Sequence, residues 1–220
     1  MFRAALIPIL IICSYVTVFG QSEPKKNIEI FEETISAALE KYYYYPGVNR
    51  NNTFIFIVNP LEEGGKNRSA DEASKFLKGI IKKTAAGNNL KFSIAEDPSV
   101  INDDSAYTLL TLQIVNLETK YSGFKKNRFL GSKTLLRNVI TDITVELKTS
   151  DGSINLKDFI KNTSQDEVDY DNYRQLESAG YDFTQGTPPN ISAFERIIFP
   201  VLLICVTAAA AVIFFTIRTK

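Results

Sequence analysis

The residues best suited to chemistry in this sequence are basic side chains interleaved with aromatic rings. They lie in a glycine-punctuated segment that reads YSGFKKNRFLGSK. Ammonium and guanidinium groups bind anionic lipid headgroups or a polymer, and large aromatic rings anchor protein partners. The segment therefore predicts a partner or lipid surface, and the alternative interpretation is a solvated hairpin loop. The candidate residues are Tyr121, Phe124, Lys125, Lys126, Arg128, Phe129 and Lys133.

Acidic residues give weaker candidates for chemistry. A calcium-binding loop of the EF-hand type needs Gly at its sixth position and Glu at its twelfth. A loop that starts at Asp169 places Arg174 and Gly180 there, so that interpretation fails and a solvated linker is favoured. The neighbouring carboxylates Asp103 and Asp104 are a candidate acid–base pair, but they are typical of a turn. We predict no catalytic, cofactor-binding or metal-binding residue.

Two apolar runs predict how the chain is placed in the cell. Residues 4–19 form one run, which follows Arg3 and is followed by Gly20. This arrangement is typical of a secretory signal peptide at 1–20. Residues Ile197–Ile217 contain no charge, and about 21 helical residues span about 31 Å, close to the thickness of a bilayer's hydrocarbon core. We expect a transmembrane helix at 197–217 that holds the protein in the membrane.

The charges beside this helix predict its orientation. Arg218 and Lys220 form part of a tail at 218–220, and basic residues favour the cytoplasmic side. The absence of disulfides from the predicted exported region favours a periplasm. We therefore expect a single-pass protein of the bacterial inner membrane, with its N-terminal domain in the periplasm. Sequons such as that at Asn67 leave a eukaryotic type I surface receptor or adhesin as an alternative.

The predicted transmembrane helix also carries a candidate packing face. Small residues four apart let two helices approach closely, and Thr207, Ala208 and Ala211 have this arrangement. This face predicts a homo-oligomer, and the alternative is an alanine-rich stretch without a partner.

The composition excludes several classes of function. The chain has 25 basic and 25 acidic residues, so no excess of positive charge favours nucleic acid. It has no His, and its two cysteines, Cys13 and Cys205, lie in the apolar runs. The region between these runs therefore lacks the ligands of structural zinc and the groups of a His-based triad. We infer that the protein is not an enzyme and needs no cofactor; the alternative is a membrane-tethered hydrolase that uses carboxylates.

Hydrophobic periodicity predicts one exported α+β domain at 21–160, followed by a polar linker at 161–196. Helical spacing and turn residues separate two helices from five strands. One predicted helix is 27–43, and a second is capped by Ser69 or Asp71 and ends at Gly87. The predicted strands are 53–59, 90–94, 106–117, 135–148 and 154–159. A βαβ start and a hairpin-linked meander predict a mixed sheet of about five strands with two helices packed on it.

Several short motifs resemble those of bacterial envelope domains, namely the amino-terminal domain of TolB and the periplasmic domain of the curli secretion channel. The strand Phe54–Leu61 (FIFIVNPL) is similar to their opening strand, and Ala106-Tyr107 and Ser150-Asp151-Gly152 resemble later motifs. The likeness covers about Thr53–Ile160. It implies a domain without catalytic residues that binds other envelope proteins and lipoproteins. The relatives are soluble, outer-membrane or lipid-anchored, so their specific partners do not carry over.

The sequence therefore predicts a non-enzymatic single-pass membrane protein. Its periplasmic domain is expected to bind other envelope proteins as an accessory or scaffold component of an envelope assembly. No nucleic-acid partner is expected.

Overall fold

The computed structural model describes residues 23–60, 67–97, 106–126, 133–190 and 193–218. The predicted signal peptide therefore lies outside the described residues. These ranges contain three α-helices, which we label α1 (Asn27–Tyr43), α2 (Asn67–Gly87) and α3 (Ala193–Arg218). The strands are β1 (Thr53–Asn59), β2 (Phe92–Ala95), β3 (Tyr107–Lys126), β4 (Lys133–Thr149) and β5 (Asn155–Asp169).

The strands form one mixed sheet in the order β2-β1-β3-β4-β5. β1 pairs in parallel with β2, because α2 returns the chain to the starting edge, as in a βαβ unit, and β1 also pairs in parallel with β3. β3, β4 and β5 pair in antiparallel fashion through short connections. The predicted five-stranded mixed sheet is confirmed.

The base of the sheet, where β1 and β2 pair with the start of β3, is covered by helices on one face. The alternating side chains of Phe54 and Phe56 point into this layer and are fully buried. They pack in one cluster with Phe31 and Leu39 of α1 and Leu77 of α2. Burial of each such side chain contributes about 1.5–3 kcal/mol, so the base is an ordinary apolar core.

Beyond β1, the sheet continues as a three-stranded arm. β1 pairs with β3 only as far as Gln113, whereas β3 and β4 stay paired to the Lys126–Lys133 pair. The arm consists of residues 114–126, 133–143 and 160–169. Register shifts at Ile114/Asn116 and Ser122/Phe124 bend its β3 strand, as bulges do.

The strand β5 reaches Asp169, so the sheet includes the first part of the predicted polar linker. The side chains of β5 are mostly polar because this strand lies at the edge of the sheet and has one face in water. Two 3₁₀ turns follow at Tyr173–Leu176 and Asp182–Thr184. Phe183 of the second turn is buried in the main core beside Phe31, with ring centroids 5.2 Å apart. This stretch is therefore packed against the domain.

The predicted transmembrane helix at Ile197–Ile217 is wrong. Although α3 covers this run, none of the helices in the described ranges is both long enough and apolar enough to cross a membrane. The predicted single-pass membrane topology depends on that helix and is therefore wrong as well. Over the part of the chain that the structure describes, the fold is α+β, with a five-stranded mixed sheet and three helices.

Candidate functional site

The predicted basic and aromatic surface lies at the far end of the arm, where β3 and β4 end. Phe124 and Lys125 are among the last residues of β3, Lys126 ends that strand, and Lys133 begins β4. Arg128 and Phe129 lie outside the described residues. The structure thus brings Phe124, Lys125, Lys126 and Lys133 to the same end of the arm.

Three side chains at this end form what we call the tip cluster: Phe124, Lys133 and Tyr170. The Phe124 and Tyr170 rings meet edge to face, with centroids 5.9 Å apart and planes at 87°. The Lys133 Nζ lies 5.8 Å from the Phe124 centroid and 5.9 Å from the Tyr170 centroid. A cation at this distance is attracted by the electron-rich ring faces, by about 0.5–1 kcal/mol at exposed sites.

Lys125 lies beside the tip cluster and remains accessible. Its Nζ is 3.5 Å from Glu167 Oε1 of β5, and the two side chains are 69% and 50% exposed. An ion pair between such exposed groups contributes roughly 0–1 kcal/mol. The lysine is therefore available to another anionic group.

Tyr121 has a different role from the one that the sequence predicts. It is only 6% exposed, and its hydroxyl accepts a hydrogen bond from Asn27 Nδ2 at 3.0 Å. Burial raises the pKa of the Tyr121 hydroxyl, and the Asn27 hydrogen bond partly opposes that change. Because its side chain points into the arm, Tyr121 supports the tip and does not form part of the surface.

The predicted packing face lies on α3, where Thr207, Ala208 and Ala211 are all exposed. The Thr207 hydroxyl donates within its own helix, to the carbonyl oxygens of Leu203 and Ile204, each at 2.9 Å. The packing face stays a prediction.

A buried arginine in β4 forms a site that sequence reasoning missed. Arg137 is 0% exposed. Its guanidinium makes two hydrogen bonds to Asp166 of β5, the Nε–Oδ1 distance being 2.7 Å. The Nη1 group donates to the Lys25 carbonyl oxygen and to Asn27 Oδ1, both at 2.7 Å. Since Asp166 is 41% exposed, only the cationic partner of this pair is fully removed from water.

The same network reaches the C-terminal segment. The Asn27 Nδ2 group donates to the Thr184 carbonyl oxygen at 2.6 Å, and the Ser178 N–H donates to Thr184 Oγ1 at 3.0 Å. Asn27 and Thr184 are both 0% exposed. We call this network the terminal clasp, because it joins the segments before α1 and after β5 to the arm. Its members are Asn27, Tyr121, Arg137, Asp166 and Thr184.

The pattern of β4 contained a signal for the clasp. Every second residue of the strand from Leu135 to Leu147 is buried, and Arg137 occupies one of these inward positions. A charged residue at an inward position must be paired and hydrogen-bonded, which predicts a buried network. The partners Asp166 and Asn27 lie 29 and 110 positions away, so the sequence could not identify them.

A polar groove lies between α1 and β5, with a volume of about 400 Å³. Residues of both elements line it, including Glu33 and Thr34 of α1 and Asn162 and Ser164 of β5. The Asn162 Nδ2 group donates to Thr34 Oγ1 at 3.2 Å, which closes one part of the groove. The groove leaves room for side chains beside the outer edge of β5.

The acidic candidates behave as turn residues where they are described. Asp169 Oδ1 accepts a hydrogen bond from the Asp171 N–H at 2.8 Å, which is an Asx-type turn at the end of β5. Asp103 and Asp104 lie outside the described residues. In the described ranges, no group of three or more His, Cys, Asp or Glu side chains is placed to hold a metal ion.

Comparisons with known proteins give little to add to this geometry. No protein family matches the sequence, and no curated protein matches it. Among solved structures, the chain is similar to a neuraminyllactose-binding hemagglutinin homolog from Helicobacter pylori, with 9% identity and a TM-score of 0.34. That match covers 58% of this chain and 73% of the other. It supports no conclusion about fold or function, and the resemblance to the TolB and curli channel domains stays a prediction from the sequence.

Proposed function

We propose that this protein is an exported, non-enzymatic interaction module of the bacterial envelope. In this proposal, the tip cluster and the neighbouring lysines bind an acidic segment of a partner protein. The observation that carries the proposal is the position of the Lys133 ammonium group above the Phe124 and Tyr170 rings. The export of the domain rests on the signal-peptide pattern at 1–20.

The tip has the properties of a binding site on a rigid support. Phe124 and Lys133 are fixed by paired strands, and sites on strands are held more precisely than sites on loops. Tyr170 follows β5 directly, and its N–H donates to the Lys133 carbonyl oxygen at 2.8 Å. Rings that are already ordered lose little further entropy when a partner binds.

The charges of the tip favour an acidic partner. Lys125 and Lys133 bring two positive charges to the same end of the arm, where β3 ends at Lys126. A carboxylate from a partner would meet ammonium groups already placed beside aromatic surface. Pairs of this kind increase the association rate and the specificity of an interface.

The test is a crosslinking pull-down of the full-length protein from its own envelope, followed by direct binding of the recovered partner. We expect the triple variant K125E/K126E/K133E to weaken the affinity for that partner at least about tenfold, because it reverses each charge at the interface. A matched control is K75E/K82E/K91E, which reverses three exposed lysines on α2 and just before β2 and should leave the affinity unchanged.

Two results would contradict the proposal. One is a partner that binds the tip variant and the wild type equally well. The other is binding of the wild type to phosphatidylglycerol vesicles that the tip variant loses, without any protein partner whose binding depends on the tip; the tip would then be a lipid surface.

A further inference from the structure

The outer edge of β5 is long and regular. β5 pairs with β4 from Asn155 to Asp169 without a register shift, and in the described part of the chain no strand pairs with its other side. Such an edge presents a row of backbone groups to another strand. Proline and bulges, two common protections of an edge, are absent from β5.

The hydrogen bonds of the strand show which backbone groups face outwards. The Tyr170 N–H donates to Lys133 of β4, and the Ile154 carbonyl accepts from Thr149 of β4. Even-numbered residues therefore bond to β4, and in an antiparallel ladder the odd-numbered ones face away from it. Accordingly, the Phe159 N–H donates to the Asp158 carboxylate at 2.8 Å, which satisfies that outward amide locally. The outward amides free to take a new strand begin at Lys161.

The side chains of this segment are complementary to themselves around Ser164. Consider an antiparallel pair of two copies with the two-fold axis at Ser164. A residue that precedes Ser164 by a given number of positions then lies opposite the residue of the second copy that follows Ser164 by the same number. Lys161 then lies opposite Glu167 of the second copy, twice by symmetry. The remaining opposed pairs are Asn162 with Asp166, Thr163 with Gln165, and Ile160 with Val168.

Neighbouring registers match less completely. With the axis at Thr163, Lys157 would lie opposite Asp169, but Ile160 would lie opposite Asp166 and Phe159 opposite Glu167. With the axis at Asn162, Lys157 would lie opposite Glu167, but Asp158 would lie opposite Asp166, and like charges opposite one another are destabilising. Over residues 160–168, the axis at Ser164 pairs Lys161 with Glu167 and Ile160 with Val168, without a like-charge pair.

The groove beside the edge makes room for the second copy. Asn162, Ser164 and Asp166 point towards the α1 side and line the groove of about 400 Å³. On the opposite face, Lys161 and Glu167 are exposed. Glu167 contacts Lys125 at 3.5 Å, but that pair is itself exposed. Both charges can therefore be redirected to a second chain at small cost.

We propose that residues 161–167 of β5 form an antiparallel β-strand pair with the same residues of a second copy of this chain. The interface is isologous, since the same patch is used by both copies. It joins the two sheets into one, with two symmetric Lys161–Glu167 ion pairs on its open face. The dimer does not depend on the proposed binding at the tip.

The experiment measures sedimentation equilibrium of the full-length protein in a mild non-ionic detergent, because α3 exposes apolar side chains. We expect the wild type to be a dimer. We expect K161E and E167K each to raise the dimer dissociation constant at least about tenfold, because like charges then lie opposite one another twice. The double variant K161E/E167K should dimerise again, and K82E on α2 serves as the control that leaves the dimer unchanged.

Mixing the two single variants makes the test independent of any effect on folding. K161E carries two acidic residues at this edge and E167K carries two basic ones, so an equimolar mixture should form a heterodimer. A wild type that is monomeric at every concentration would overturn the proposal. So would a dimer that K161E and E167K leave intact, or a β5 edge that pairs with a different protein and not with itself.

Discussion

At the base of the sheet, Phe54 and Phe56 are buried among apolar side chains of α1 and α2, whereas in the arm the inward position at 137 holds an arginine. The base is covered by helices along its length, so apolar side chains can fill it. The α1 helix also packs against the arm, but around Arg137 the arm is covered by chain segments before α1 and after β5, whose backbone groups must be hydrogen-bonded when buried. The comparison shows that one sheet can use apolar packing at one end and a polar clasp at the other.

The base and the arm should differ in how much free energy of unfolding is lost on a single substitution. Phe56→Ala in the base should lower the free energy of unfolding by about 4 kcal/mol, because it leaves a cavity in a fully buried cluster. Urea unfolding followed by circular dichroism measures this value. A loss below about 1 kcal/mol would show that the base is not the apolar core described above.

In the clasp, removal of the carboxylate should cost more than removal of the arginine. Asp166→Ala leaves the guanidinium of Arg137 buried without its counter-ion, and we expect a loss of about 3 kcal/mol. Arg137→Met leaves Asp166 in partial contact with water, so the main loss is the Nη1 donor to Asn27 Oδ1 and to the Lys25 carbonyl oxygen, and we expect it to cost about 1–2 kcal/mol. Urea unfolding of both variants gives the order, and the reverse order would show that the network is not held by the arginine's charge.

The C-terminal segment passes so close to the arm that a methyl group should disrupt it. A Cβ atom at Gly186 would lie 2.7 Å from Tyr121 Cδ2 and 2.8 Å from the Thr119 carbonyl oxygen. We expect Gly186→Ala to cost about 1–3 kcal/mol through overpacking. Gly180→Ala is the matched control, since nothing lies within 4 Å of its added Cβ. Equal thermal unfolding temperatures for the two variants would contradict the close contact.

Alkaline pH should weaken the base through a buried tyrosine. Burial raises the pKa of Tyr43 from 10.0 to about 12, while its hydrogen bond with Thr84 opposes the change. Because the folded state holds this proton more tightly than the unfolded state, the stabilisation is complete below about pH 10 and is lost as pH rises through about 12. Urea unfolding across this range should show a smaller decline for Tyr43→Phe than for the wild type. If Tyr43→Phe lost as much stability as the wild type over this pH range, the loss would come from other tyrosines, such as Tyr121 of the arm, whose pKa is also raised.

Local patterns predicted most of the base. The first helix and the first strand were predicted at 27–43 and 53–59, and the structure has the same bounds. Both elements have a clear period and end at strong breakers, the first at Pro46 and Gly47 and the second at Pro60. Propensity and burial favour the same structure in these segments, so no tertiary contact has to override them.

The arm was predicted less completely because its strands lose the apolar alternation. β3 was expected to end at 117 and reaches Lys126, while β5 was expected to end near 159 and reaches Asp169. Polar side chains on an edge strand and on the open face of a sheet leave no period-two signal. Pairing with β4, whose pattern is clear, holds these strands in the sheet.

By itself, the sequence determined the α+β class and the parallel start of the sheet, because these depend on residue period and on turns. It also determined that basic and aromatic residues share one hairpin. Only the tertiary structure decided that Tyr121 points inwards, that the Lys133 ammonium group lies over two rings, and that Arg137 is buried. These outcomes depend on partners such as Asn27 and Tyr170, which lie far away in the chain, and no local pattern specifies such partners.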